Sequence, residues 1–337
     1  MNAVILSLAF ALALLLGLYF TPIARQAALR FGIVDHPDGH LKLHGEPVPY
    51  LGGIAVFVAY LVGLGMVRTF SSLLLGLLLA GTLTLLVGLI DDFGVLTPFA
   101  KLIGQAVAIF VLLRSGAVIE LVDVPPALRW PLAAAWLFAV CNAFNLLDII
   151  DGLAAGVGAI VAAALAVVAF SNGEMPEATA ALALTGALSG FLVYNFHPAR
   201  IYLGDAGSLA TGISIGALAL AIRWSEHSPA GFLAPLGILA VPLADTIYVS
   251  LLRARAGRPF WFGSPDHFPL RLRRAFGGSV RRTVLTCYAI AATGAAIGAA
   301  GATILRWDIT VAALSLFALA FIVLLVWLAR IDMSKPA

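Results

Sequence analysis

Charge is scarce in this 337-residue chain: Asp, Glu, Lys and Arg make up 11% of it, against a hydrophobic share of 62%. That excludes an ordinary soluble domain, in which about a quarter of the residues are charged. A mean hydropathy of +1.04 points the same way, to an integral membrane protein. Cysteine is nearly absent, and both Cys141 and Cys287 lie in apolar runs. A disulfide framework is therefore not expected, and the thiols read as small hydrophobes. The first apolar run lacks a basic leader and a convincing small-residue cleavage site, so it reads as a retained span rather than a signal peptide.

What the chain does have is a series of apolar runs, mostly 17 to 22 residues long. At a rise of about 1.5 Å per residue each can cross a hydrocarbon layer of roughly 30 Å as a helix. The expected fold is all-α, a polytopic membrane domain covering 1–337. About eleven spans are expected (ten is the alternative count), near 3–22, 51–67, 73–90, 99–113, 130–147, 152–170, 178–195, 206–222, 229–251, 283–304 and 309–329.

The net charge of +3 says little until its distribution is read. With the N-terminus outside, fifteen of the twenty basic residues fall on inner segments, leaving only Arg68, Arg114, Arg129, Arg223 and Arg306 outside. This positive-inside bias predicts a cytoplasmic C-terminus. It also puts the loops near 23–50, 91–98, 148–151, 196–205 and 252–282 on one cytoplasmic face.

Polar residues gather on that same face. LVGLIDDFGVLTPFAKLIGQ ends an apolar run with Asp91 and Asp92 and starts the next with Lys101. NAFNLLDIIDG spaces Asn142, Asn145, Asp148 and Asp151 three apart. On a helix each step of three drifts by roughly 60°, so the last three share a broad face and Asn142 looks partly away. In HPARIYLGDAGS, Gly204, Asp205, Gly207 and Ser208 open an apolar helix, an arrangement suited to phosphate or metal-bound phosphate. The first inner loop adds Asp35, Lys42 as a phosphate contact, and His36, His40 and His44. Pro37 and Gly39 argue against a helical histidine metal site there. The last inner loop is basic and aromatic, with an Asp266-His267 pair and Arg271, Arg273 and Arg274 beyond it. Carboxylates clustered beside lysines and glycines suit Mg²⁺ (or Mn²⁺) and phosphoryl transfer.

These blocks together resemble the polyprenyl-phosphate N-acetylhexosamine-1-phosphate transferases, the family that starts O-antigen and teichoic acid chains and includes the lipid I synthase of peptidoglycan assembly. The matching residues are Lys42 and His44 through Gly52-Gly53, Asp91-Asp92 with Lys101 and Gln105, Asn142 through Gly152, Leu203 through Ser208, and Asp245 before Arg253. The late loop departs from the family: it keeps His267 but has Pro269 and Leu270 where more histidines are expected, unlike the lipid I synthase branch. In the early loop Leu41 precedes Lys42 where the family often has arginine.

The resemblance implies transfer of an N-acetylhexosamine-1-phosphate from a UDP-sugar to undecaprenyl phosphate in the bacterial cytoplasmic membrane, with release of UMP. It implies Asp205 as the Mg²⁺ ligand, Asp91 as the base, and Asp92 supporting the site or the metal. Asn145, Asp148 and Asp151 would serve the nucleotide, and Asn142 would bind substrate. Lys42, Lys101 and His267, the last counted with the catalytic residues Asp91 and Asp92, would neutralise the diphosphate, and His44, Gly204 and Arg271 would bind substrate. The expected partners are the UDP-N-acetylhexosamine, undecaprenyl phosphate and the bilayer, with no nucleic acid; a homodimer is left open. Two rivals fit less well. A CDP-alcohol phosphotransferase would need further aspartates beyond DIIDGLAAG, and a transporter would need midplane carboxylates and an internal repeat.

Overall fold

A computed structural model describes residues 2–35, 47–119, 124–255, 257 and 266–333. Lys42 and His44 lie outside the described residues. The described chain is helical almost throughout: α1 (Asn2–Phe31), α2 (Gly52–Leu64), α3 (Ser72–Asp92), α4 (Pro98–Arg114), α5 (Pro126–Leu147), α6 (Leu153–Ser171), α7 (Met175–Asn195), α8 (Gly204–Ala221), α9 (Ala234–Ile238), α10 (Ala240–Arg255), α11 (Phe268–Ala275), α12 (Val280–Thr303) and α13 (Trp307–Ala329). A 3-10 turn, Pro229–Leu233, precedes α9.

Each of the eleven expected segments is helical, but not each is a full span. Eight described helices are long and apolar enough to cross a membrane, and a ninth span exists if a bent pair is taken as one. That pair replaces the continuous helix expected over 229–251: Pro229–Ile238 and Ala240–Arg255 meet at a bend of 65°. Pro242 has no N–H for the carbonyl of Ile238, and its ring crowds the preceding turn, so the helix breaks at Leu239. The other two, α2 and α4, are shorter at 13 and 17 residues.

Two small elements were not expected. Val34–Asp35 (β1) pairs antiparallel with Val48–Pro49 (β2), and α11 forms inside the long basic loop. In contrast, Pro22 does not end α1, although the apolar run stops there. The Leu18 carbonyl that Pro22 cannot bond instead accepts the Tyr194 hydroxyl at 3.2 Å.

Successive helices alternate between two ends of the bundle. At one end Gly52 and Gly53 donate to the carbonyls of Tyr202 and Leu203, at 3.1 and 2.9 Å, and Tyr202 donates to Pro49. Arg25 and Arg281 bond the carbonyls of Arg200 and His197 there. At the other end Ser72 reaches Ser115, Asn172 reaches the Arg223 carbonyl, and His227 lies 3.2 Å from the carbonyl of Ser171. Of the candidate spans, α8 is the most enclosed and α13 the least. Small residues let α8 be gripped closely: a methyl group added at Gly53 of α2 would fall 2.2 Å from the Gly207 nitrogen. Such helix packing places the start of α8 at the centre of the first end.

Candidate active site

The site begins where α8 begins. Gly204 has φ +72°, a left-handed conformation, and a side chain there would sit 2.8 Å from Asp92 Oδ2. Only glycine meets both demands. The turn aims the first amides of α8 at Asp92, whose Oδ1 accepts the Asp205 N–H at 2.8 Å and whose Oδ2 accepts the Ala206 N–H at 3.1 Å. Asp92, the last residue of α3, thus caps α8 and meets the positive end of its dipole.

Asp91, one residue earlier, turns the other way. Its Oδ2 lies 2.7 Å from Lys101 Nζ. The same ammonium makes a very short contact with Asp205 Oδ2 and a 3.2 Å hydrogen bond to Asn145 Oδ1. Asn145 donates from Nδ2 to Asp205 Oδ1 at 2.8 Å and to the Ser208 hydroxyl at 3.0 Å. Four helices therefore meet at one ammonium: α3 through Asp91, α4 through Lys101, α5 through Asn145 and α8 through Asp205. Lys101 can be there because α4 starts sharply, with Thr97 accepting the Ala100 N–H and Pro98 in its first turn. The cluster is partly open: Asp205 keeps 35% of its side-chain exposure.

Around this centre the row on α5 divides. Asn142 exchanges two hydrogen bonds with Gln105 of α4, at 3.0 and 3.3 Å, and also donates to the carbonyl of Phe138. Asp148, just past α5, receives the Gly204 amide; burial and then the charges of Asp205 and Asp92 push its pKa up to about 8. Asp151 receives the Ala199 N–H at 3.0 Å and lies 2.7 Å from His197 Nδ1, so it shapes the 196–203 loop.

Three residues of this end were not singled out in the sequence. His197 pairs with Asp151. Buried Asn195 joins the two loops, its Oδ1 accepting the Gly152 N–H and its Nδ2 donating to the Ile201 carbonyl. Tyr288 donates to the carbonyl of Gly152. The signal for Asn195 was available, since it is an amide ending an apolar helix before His-Pro.

His267 and Arg271 belong to a second polar cluster. His267 Nδ1 lies 2.7 Å from Asp245 Oδ2, with both side chains buried, and the Phe268 N–H bonds Asp245 Oδ1 at 3.0 Å. Arg271 spends its guanidinium on Asp266, at 2.7 Å, and on the carbonyls of Leu328, Ala329 and Ile331 at the end of α13. It thereby ties α11 to α13.

Comparison with known proteins shows the family. The family model described as Glycosyl transferase family 4 matches residues 74–223, which hold Asp91 through Asp205. The chain is 32% identical to a probable undecaprenyl-phosphate N-acetylglucosaminyl 1-phosphate transferase of Bacillus subtilis, over 84% of this chain and 81% of the relative. It is 31% identical to a decaprenyl-phosphate N-acetylglucosaminephosphotransferase of Mycolicibacterium smegmatis, over 82% and 77%. A phospho-N-acetylmuramoyl-pentapeptide-transferase of Moorella thermoacetica is 34% identical over 76% and 84%.

Proposed function

The chain belongs to the polyprenyl-phosphate sugar-1-phosphate transferases of glycosyl transferase family 4, and from this premise we propose that it moves an N-acetylhexosamine-1-phosphate from a UDP-sugar to undecaprenyl phosphate. The observation that carries the reading is the convergence of Asp91, Asp205 and Asn145 on Lys101 at the end of α8. We place this end on the cytoplasmic side of a bacterial inner membrane, because Arg25, Arg200 and Arg281 gather at it and basic residues favour that side. Both a lipid phosphate and a water-soluble nucleotide sugar can reach it from that side.

In the proposed reaction an oxygen of the lipid phosphate attacks the sugar-bearing phosphorus. One P–O bond forms while the bond from that phosphorus to UMP breaks, and UMP leaves with the electron pair. Asp91 takes the proton of the attacking phosphate. Lys101 supplies positive charge to the diphosphate. Asn145 holds Asp205 through its amide, and Asp92 holds the turn that presents Asp205. Asp148 and Asp151, with the loop Asp151 organises, are assigned to the nucleotide.

Among the described residues no group of three His, Cys, Asp or Glu side chains is arranged to hold a metal. Mg²⁺ does not need one, because it binds through one or two carboxylates and completes its shell with water and substrate phosphates. Asp205 and Asp91, already gathered on one cation, fit that requirement and would hold Mg²⁺ or Mn²⁺. When bound, the ion supplies charge neutralisation to the diphosphate. A panel of UDP-sugars incubated with purified protein and undecaprenyl phosphate, with UMP release as the readout, tests the reading. Since a phospho-N-acetylmuramoyl-pentapeptide-transferase is also among the relatives, UDP-N-acetylmuramoyl-pentapeptide belongs in the panel as the rival donor. Release of UMP with none of these donors would overturn the proposal.

A further inference from the structure

Lys101 is bound more tightly than a lysine waiting for substrate needs to be. Its ammonium has three donors, and three oxygens from three different helices take them: Asp91 Oδ2, Asp205 Oδ2 and Asn145 Oδ1. Only 18% of the side chain is exposed. All three acceptors are hard oxygens, and two are the carboxylates best placed to hold a divalent cation. A divalent ion and the ammonium therefore require the same oxygens. They cannot both use Asp205 Oδ2 and Asp91 Oδ2 at full strength, because like charges at that separation repel.

We propose that Lys101 is a built-in counter-ion that a divalent cation displaces, so that binding of the metal releases the ammonium for the diphosphate. The inference rests on the transferase reading above and extends it: the metal and Lys101 act in sequence rather than side by side. Without metal, the ammonium holds α3, α4, α5 and α8 together. With metal, the ion takes over that role and Lys101 is free to turn to an incoming anion. Asn145 suits the exchange, since its Nδ2 keeps Asp205 Oδ1 oriented whichever cation occupies the other oxygen.

The test measures Mn²⁺ binding by electron paramagnetic resonance of the free ion, together with thermal unfolding, on the full chain in nanodiscs without substrates. Lys101→Met should bind Mn²⁺ about tenfold or more tightly than the parent, because no ammonium has to leave. Its metal-free unfolding temperature should fall, and saturating Mn²⁺ should raise it by more than in the parent. Lys101→Arg, which keeps the charge, should bind Mn²⁺ no more tightly than the parent. Arg114→Gln removes one positive charge from the far end of the same helix, roughly 20 Å away at 1.5 Å per residue, and should change the affinity less than twofold.

Unchanged or weaker Mn²⁺ binding in Lys101→Met, with binding in the parent abolished by Asp205→Asn, would overturn the exchange and leave the transferase reading intact. Absence of Mn²⁺ binding in the parent, with UMP release that ignores chelators, would instead remove the metal part of that reading and the exchange with it. If Lys101→Met can be recovered folded only in the presence of Mn²⁺, the counter-ion role is supported; if it unfolds equally with and without Mn²⁺ while Lys101→Arg behaves as the parent, the role is a fixed structural one and the exchange fails.

Discussion

Asp92 caps α8 with both carboxylate oxygens, taking the amides of Asp205 and Ala206, while its neighbour Asp91 faces Lys101. Two adjacent acids thus have different work, because consecutive residues on a helix point about 100° apart. Asp92→Ala should lose a helix cap, a cost of about 0.5 to 2 kcal/mol in stability, and misplace Asp205 as well. Asp91→Ala should leave the unfolding temperature nearer to the parent's and act mainly on turnover. Thermal unfolding and UMP release measured on both variants check this; equal destabilisation by the two would refute the division.

Asp205→Asn should abolish turnover. The substitution removes a charge that Lys101 and the proposed metal both use, and it puts an amide NH₂ on a carboxylate whose neighbours are donors. Loss of metal-assisted charge stabilisation is worth several kcal/mol, which is at least on the order of a hundredfold in kcat. Near-normal UMP release at saturating Mg²⁺ would remove Asp205 from the metal site.

Gly204→Ala should be nearly as damaging, though the residue carries no functional group. A left-handed φ costs a non-glycine residue about 1 to 2 kcal/mol, and the added methyl would press on Asp92 at 2.8 Å. The expected signature is a lower unfolding temperature together with lost activity. Full activity in Gly204→Ala would mean that the turn adjusts freely.

Asp148 gives a pH dependence of stability. Its pKa is raised from an ordinary 3.8 to about 8 by burial and by the neighbouring carboxylates. Between those values the folded protein holds a proton that the unfolded chain has released, so this group's contribution to stability is present at low pH and is lost as pH rises toward 8. Unfolding temperatures of metal-free protein from pH 5 to pH 8 should therefore fall less steeply in Asp148→Asn than in the parent. A steeper fall in the variant would contradict the raised pKa.

The bundle was legible because apolar runs of span length leave little choice but helix. The break before α10 was visible as Pro235 and Pro242, yet hydropathy ran through it undisturbed. Helix α11 was hidden for the opposite reason: Arg271, Arg273 and Arg274 gave eight residues the look of a solvated loop, although Phe268 and Leu272 mark a buried stripe at helical spacing. The residue types of the site could be read locally, but their partners could not. Lys101 meets Asp205 across 104 positions, and only packing decides that Asp151 turns to His197 while Asn145 turns to Lys101. Arg271 shows the same limit, since its carbonyl partners on α13 lie about sixty residues away.

His267 carries the last prediction. Its contact with Asp245 is buried on both sides, and the only other hydrogen bond described for that carboxylate is the Phe268 amide. His267→Ala would leave Asp245 buried with one of its two described hydrogen bonds lost, and a buried acceptor left without its partner costs about 1 to 3 kcal/mol. A drop in unfolding temperature is therefore expected, whereas His227→Ala, at the opposite end of the bundle, should change it little. The double variant His267→Ala, Asp245→Asn puts an amide in place of the carboxyl group that lost its partner and should recover part of the loss. If the diphosphate also uses His267, kcat/KM in the double variant should stay depressed by roughly tenfold or more after stability is restored, the worth of one hydrogen bond to a charged group. Recovery of both stability and kcat/KM would assign His267 to the fold alone, and an unfolding temperature unmoved by His267→Ala would show that the buried pair contributes nothing.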